Sequence, residues 1–170
     1  MRERKLNRKK GYDYSNNGIY FITSCVHKRM HLFGKIENEK MELNEFGEIA
    51  KKQWDWLAKQ YLYVVLHNFV VMPNHIHGLI EIDDNRICYC RDGSRPVPTI
   101  TNTIKIKPLS QLMGAYKTTV SKQIHLLGNA QFKWQRSFHD RIVRNKIQFY
   151  NINNYITNNP KKWDMDNLNK

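Results

Sequence analysis

The hydrophobic and polar positions of this 170-residue chain change period several times, and each change predicts an element. Residues 18–27, Gly-Ile-Tyr-Phe-Ile-Thr-Ser-Cys-Val-His, alternate and are rich in β-branched and aromatic types, the pattern of a half-buried strand. A polar connector follows from His31 to Lys40, with room for a short strand near Leu32 and Phe33. From Leu43 the period becomes helical. Phe46, Ile49, Ala50, Trp54 and Leu57 share one face, Asn44 can cap the first turn, and the helix is expected to end near Gln60. Two apolar runs within residues 62–82 then flank Met72-Pro73-Asn74. Pro73 has no N–H for a ladder, so this reads as two antiparallel strands with a tight connection. Residues 83–107 read as a long exposed loop. Ser110 to Leu127 reads as a second helix behind Pro108, residues 131–143 as a further strand, and Lys146 to Asn158 as a third helix stopped by Pro160.

Helices alternate with strands, but the central strands form a hairpin. That is the α+β pattern of a ferredoxin-like (RRM-like) antiparallel sheet with helices packed on one face. No internal repeat or second domain interrupts it. The expectation is one domain over residues 1–170, with residues 1–16 as a basic arm and 83–107 as a loop.

Composition narrows the function. Apolar residues make up 41% of the chain, enough for a folded core. No apolar run reaches membrane-spanning length, and the basic start Met1 to Lys10 has no apolar segment behind it. Cys25, Cys88 and Cys90 do not form a disulfide framework, so a reducing cytoplasm is expected. Lys and Arg number 28 against 15 Asp and Glu, a net charge of +13 that points to a polyanion. A lipid surface fits less well, because no strongly amphipathic basic helix is present. Aromatic and basic residues interleave instead, at Phe132, Lys133, Trp134, Gln135, Arg136, Phe138 and Arg141. Rings can stack on unpaired bases with cations beside the phosphates. A half-buried strand with a solvated outer face accounts for the same pattern.

The chemistry concentrates in two places. His75-Ile76-His77 lies on the second strand of the hairpin, so both imidazoles share a face and can hold a divalent metal. Two histidines leave open coordination positions, as a catalytic site requires. Asp140 and Asn159 are candidate oxygen donors of the kind magnesium or manganese prefers, whereas Cys88 and Cys90 read as loop thiols. On the third helix Tyr155 and Asn159 are four apart and share a face. A tyrosine hydroxyl can be a covalent nucleophile. Equally, Tyr155 can pack on the sheet while Asn159 caps the helix. Tyr116 and Tyr150 are the competing hydroxyls.

Four blocks in order carry a resemblance: Met72-Pro73-Asn74-His75-Ile76-His77-Gly78, Trp134-Gln135-Arg136, Ile142-Val143-Arg144-Asn145, and Tyr155-Ile156-Thr157-Asn158-Asn159-Pro160. Together they resemble the HUH single-tyrosine transposases, in particular the REP-associated branch, over nearly the whole chain. The resemblance implies a ferredoxin-like domain that cleaves single-stranded DNA beside a hairpin. His75, His77 and Asn159 would bind Mg2+ or Mn2+, and Tyr155 would attack the scissile phosphate to give a 5′-phosphotyrosine and a free 3′-hydroxyl. In related insertion-sequence enzymes a glutamine stands where this chain has Asn159. Those enzymes are dimers, whereas the REP-associated type can act as a monomer, and the sequence does not choose. Arg136, Arg141, Arg144, Trp134, Lys9 and Lys10 are the candidate DNA contacts. The competing class is a non-catalytic RRM-like single-strand binding module, or a transposase domesticated without activity. The paired His-X-His and Tyr-X-X-X-Asn motifs favour the enzyme, since a binding module needs neither.

Overall fold

The computed structural model describes residues 11–86 and 105–169. Among the described residues, six strands and three long α-helices follow one another as β1 (Gly18–Cys25), β2 (Gly34–Glu37), β3 (Lys40–Leu43), α1 (Glu45–Gln60), β4 (Val64–Met72), β5 (His75–Ile82), α2 (Leu109–Leu126), β6 (His139–Val143) and α3 (Lys146–Asn158). Strands β4, β5, β1 and β6 lie side by side in that order, every pair antiparallel. With α1 between β1 and β4 and α2 between β5 and β6, this is the ferredoxin-like arrangement expected. Strands β2 and β3 form a separate hairpin. No helix among the described residues is long and apolar enough to cross a membrane.

Alternation along β1 and β5 gives each sheet face its own role. Tyr20 and Ile22, with Ile76 and Ile80, face α1 and α2 and form the larger core with Trp54, Leu57, Leu112, Met113 and Tyr116. Helix α1 starts where Asn44 accepts from the Phe46 and Gly47 amides, both at 3.0 Å. These bonds satisfy two of the donors that a helix start leaves unpaired. Pro108 precedes α2, as expected. The opposite face carries His75, His77 and Leu79, and there α3 packs through Ile152 and Ile156 onto Leu79, Ile19, Phe21, Val70 and Val143. Two helices thus cover one face, while the C-terminal helix lies with the histidines.

Gly78 lies between the two histidine-face residues His77 and Leu79 and points into the larger core. A Cβ there would stand 2.5 Å from Trp54 Cζ2, on a ring stacked at 4.5 Å against Phe69. Gly78→Ala is therefore expected to destabilise the protein by about 1–3 kcal/mol through overpacking, read as a lower urea midpoint.

The 131–143 strand is shorter than its sequence suggests. Only His139–Val143 pairs with β1 as a strand, and Trp134 makes a single bridge to Val26. Phe132 and Phe138 are buried by packing rather than by a continuous ladder. The 83–107 loop lies largely outside the described residues, as do Cys88, Cys90, Lys9 and Lys10.

Candidate active site

Strand β5 is internal, flanked by β4 and β1, so its backbone is held from both sides. The connection that leads into it, Pro73-Asn74, is itself enclosed. The amides of Leu32 and Phe33 donate to Pro73 O at 2.9 and 3.0 Å, and Val26 N donates to Asn74 O at 2.8 Å. Asn74 Nδ2 donates to Arg29 O and Leu168 O, at 3.2 and 2.7 Å. Its Oδ1 is therefore the atom turned to His75 Nδ1, 2.7 Å away. An amide oxygen only accepts, so His75 Nδ1 carries the proton and Nε2 presents a lone pair. That lone pair faces His77 Nε2 at 3.0 Å. His77 Nδ1 lies 2.8 Å from Thr23 Oγ1, its register partner on β1.

Both rings are buried, His75 to 0% exposure and His77 to 2%. Burial pushes both imidazoles down to about 3, with Arg29 and His31 adding to the effect on His75 and the His75 ring adding to it on His77. Both are neutral at physiological pH, the form that binds metal. In the metal-free protein they remain neutral while unfolded histidines, near 6.5, take up protons. Stability is therefore complete above pH 6.5 and falls as pH drops toward 3, by up to about 1.4 kcal/mol per pH unit for each ring. Urea midpoints at stepped pH check this, and His77→Ala is expected to flatten the slope.

Helix α3 brings the second group. A bulge in β4 between Leu66 and Phe69 turns Asn68 toward the helix, where its Nδ2 donates to Asn153 O at 3.0 Å and Thr157 Oγ1 at 2.7 Å. These contacts bracket Tyr155, whose hydroxyl lies 3.2 Å from His77 Nε2. Phe21 stacks on the His77 ring at 5.3 Å and meets the Tyr155 ring edge-on at 6.0 Å, fixing both. Tyr155 is 43% exposed, so the hydroxyl can be reached from outside. Burial and the charge of Asp166 raise its pKa, opposed by its contact with Asn159, and it rests as the neutral phenol.

A carboxylate joins the histidines, and a second buried oxygen lies at the end of α3. Beyond α3 the chain continues as a 3₁₀ segment, Pro160–Met165, whose Trp163 packs 5.9 Å from the His75 ring. Asp166 follows, with Oδ2 3.9 Å from His75 Nε2. One ligand atom each from His75, His77 and Asp166 lie within 4.8 Å of one another. Asp166 Oδ2 and Asn159 Oδ1 are both buried without a hydrogen-bond partner. Asn159 is 3% exposed, and its side chain does not cap the helix. A buried acceptor without a donor is costly. An unpaired Asp166 oxygen beside two converging imidazoles is what a divalent cation would satisfy.

The other expected residues are dispersed. Arg141 pairs with Phe21 in register, so it projects exposed on the histidine face from edge strand β6. Arg144 lines a smaller pocket with His67, Val143 and Phe149. Arg136 and Trp134 lie in a groove beside α2, and Trp134 is half-buried against Phe33, Phe132 and Tyr116. Asp140 pairs with Ile22 and so faces the larger core, which removes it from the histidine site. Tyr116 is fully buried and donates to Ala50 O at 3.1 Å, while Tyr150 stands exposed elsewhere on α3. Of these three tyrosines, Tyr155 alone meets a histidine. Asp166, Asn74 and Thr23 were not expected in these roles. Asn74 has the only visible sequence signal, its place directly before the histidine pair.

Fold and site together define a ferredoxin-like α+β protein with a histidine–tyrosine centre on the face opposite α1 and α2. The same fold is seen in the structure of a REP-associated tyrosine transposase bound to a REP hairpin, with a TM-score of 0.61, 16% identity, and coverage of 94% of this chain and 74% of that one. It is seen also in a candidate transposase from Deinococcus radiodurans R1, with a TM-score of 0.50, 16% identity, and coverage of 89% of this chain and 97% of that one. No family model matches the chain. The chain belongs to the family of an uncharacterized protein of Haemophilus influenzae, to which it is 33% identical over 172 residues, 99% of this chain and 94% of the relative.

Proposed function

We propose that the protein is a metal-dependent single-stranded DNA endonuclease and strand transferase of the HUH single-tyrosine type, which cleaves beside a hairpin through a 5′-phosphotyrosine. One observation carries this reading: a reachable tyrosine hydroxyl lies against a buried histidine pair, with the unpaired oxygens of Asp166 and Asn159 close in sequence and burial. A module that only binds has no use for that arrangement. The fold of the REP-associated transposase supports it.

His75, His77, Asp166 and Asn159 would hold the cation. When bound there, Mg2+ or Mn2+ supplies Lewis-acid polarisation of a phosphodiester oxygen. Tyr155 Oη attacks phosphorus and gives up its proton. The P–O3′ bond breaks, and the leaving 3′ oxygen takes a proton to become a hydroxyl. Attack by a 3′-hydroxyl on the tyrosine ester reverses these bonds and rejoins DNA, so no nucleotide hydrolysis is required. Phe21 and Asn68 fix the approach of the nucleophile by holding its ring and its helix. Arg141, exposed on the same sheet face, is placed to meet phosphates.

The test uses labelled hairpin-containing single-stranded oligonucleotides with magnesium, manganese or chelator, resolved on a denaturing protein gel. A metal-dependent covalent band is expected. Tight binding with no band across many flanking sequences would replace this reading with the non-catalytic binding module.

A further inference from the structure

A cavity lies away from Tyr155, between α2 and residues 132–136. Its volume is about 740 Å³, against about 230 Å³ for the pocket beside Tyr155. Lys117, Lys122, Lys133 and Arg136 line it, and no acidic residue does. Lys122, Lys133 and Arg136 are exposed and have no carboxylate partner among the described residues. Lys117 has a different task. Its Nζ donates to Gln135 O at 2.5 Å and lies 6.0 Å from the Trp134 ring centre, tying the 132–136 segment to α2. Desolvation lowers this ammonium to about 8. Trp134 is held from behind by Phe132, and its remaining exposed surface forms part of the groove floor.

We infer that this groove is a second DNA contact, which takes an unpaired stretch of the substrate strand next to the hairpin. A duplex would meet the rim cations with its phosphates but leave the aromatic floor unused, because its bases are already stacked. An unpaired strand uses both, with a base on the ring and phosphates on Lys122, Lys133 and Arg136. Placement agrees. Gln135 N donates to Cys25 O at 2.9 Å, and Cys25 is the β1 partner of His75. The groove therefore opens at the end of the sheet where the histidine pair lies, and one strand can pass from one to the other around that end. The inference rests on the DNA reading above.

Anisotropy in chelator tests it with two fluorescent DNAs, a blunt hairpin and the same hairpin with an unpaired extension. The extension is expected to tighten binding by about tenfold or more. Lys122→Glu with Lys133→Glu should remove that gain while the melting midpoint holds, since both side chains are exposed. Bromouracil in the extension, irradiated on the wild-type protein, should cross-link to peptides from 117–126 or 132–136. No gain from the extension, a gain indifferent to the charge reversals, or cross-links confined elsewhere would overturn the groove. Groove binding with no covalent band would count instead against the transesterase.

Discussion

Tyr155→Phe is expected to remove every covalent protein–DNA product, a loss of at least about a thousandfold in cleavage, while hairpin binding persists. The substitution deletes one oxygen and keeps the ring. Packing on Phe21 and the His77 ring is therefore retained. What disappears is the proposed nucleophile, its 3.2 Å contact to His77 and its contact with Asn159, costing about 1–2 kcal/mol of stability. Of the two competing hydroxyls, Tyr116 is sealed in the core, and Tyr150 is exposed on α3 with no histidine contact among the described residues. The measurement is the denaturing gel, paired with anisotropy in chelator to show that binding is intact. A full-strength band from the Phe variant would move the nucleophile to another residue.

The second large effect is on metal affinity. Manganese is expected to raise the thermal midpoint of the wild-type protein, because a ligand that binds only the folded state adds about 2.7 kcal/mol at a hundred times its Kd. His77→Ala removes one of two imidazoles and should abolish that rise, with at least about a hundredfold loss of manganese affinity by calorimetry. Asp166→Asn keeps shape and hydrogen-bonding reach but removes the charge, and about a tenfold loss is expected. Asp166 Oδ2 is buried without a partner, so the Asn variant should be as stable as wild type, or more so, without metal. A wild-type midpoint indifferent to both manganese and magnesium would sink the metal reading.

Local signals made much of this legible. Helix α1 follows its Asn44 cap, α3 runs from Lys146 to Asn158 as its pattern predicts, and the hairpin turns at Pro73-Asn74. The histidine pair was visible because a strand's period of two is rigid. The β2–β3 hairpin was hidden. Its turn residues Asn38 and Glu39 adopt φ of 49° and 61° with no glycine to announce them, and its strands bury no residue fully. Phe132 and Phe138 lengthened the expected β6, because aromatic residues fixed by packing look like strand residues in sequence. Asp166 was beyond reach for another reason. It sits in a polar tail without period, and only the fold brings that tail to β5.

His77 Nε2 stands between two partners. It faces His75 Nε2 on one side and the Tyr155 hydroxyl on the other. A cation held by the histidine pair would need the lone pair of this nitrogen, whichever of its two neighbours a hydrogen joins it to at rest. Under the proposed function, loading would therefore also change the hydrogen bonding around the Tyr155 oxygen. The metal and the resting hydrogen bonds would compete for that atom, so an idle chain and a loaded one would hold the tyrosine differently.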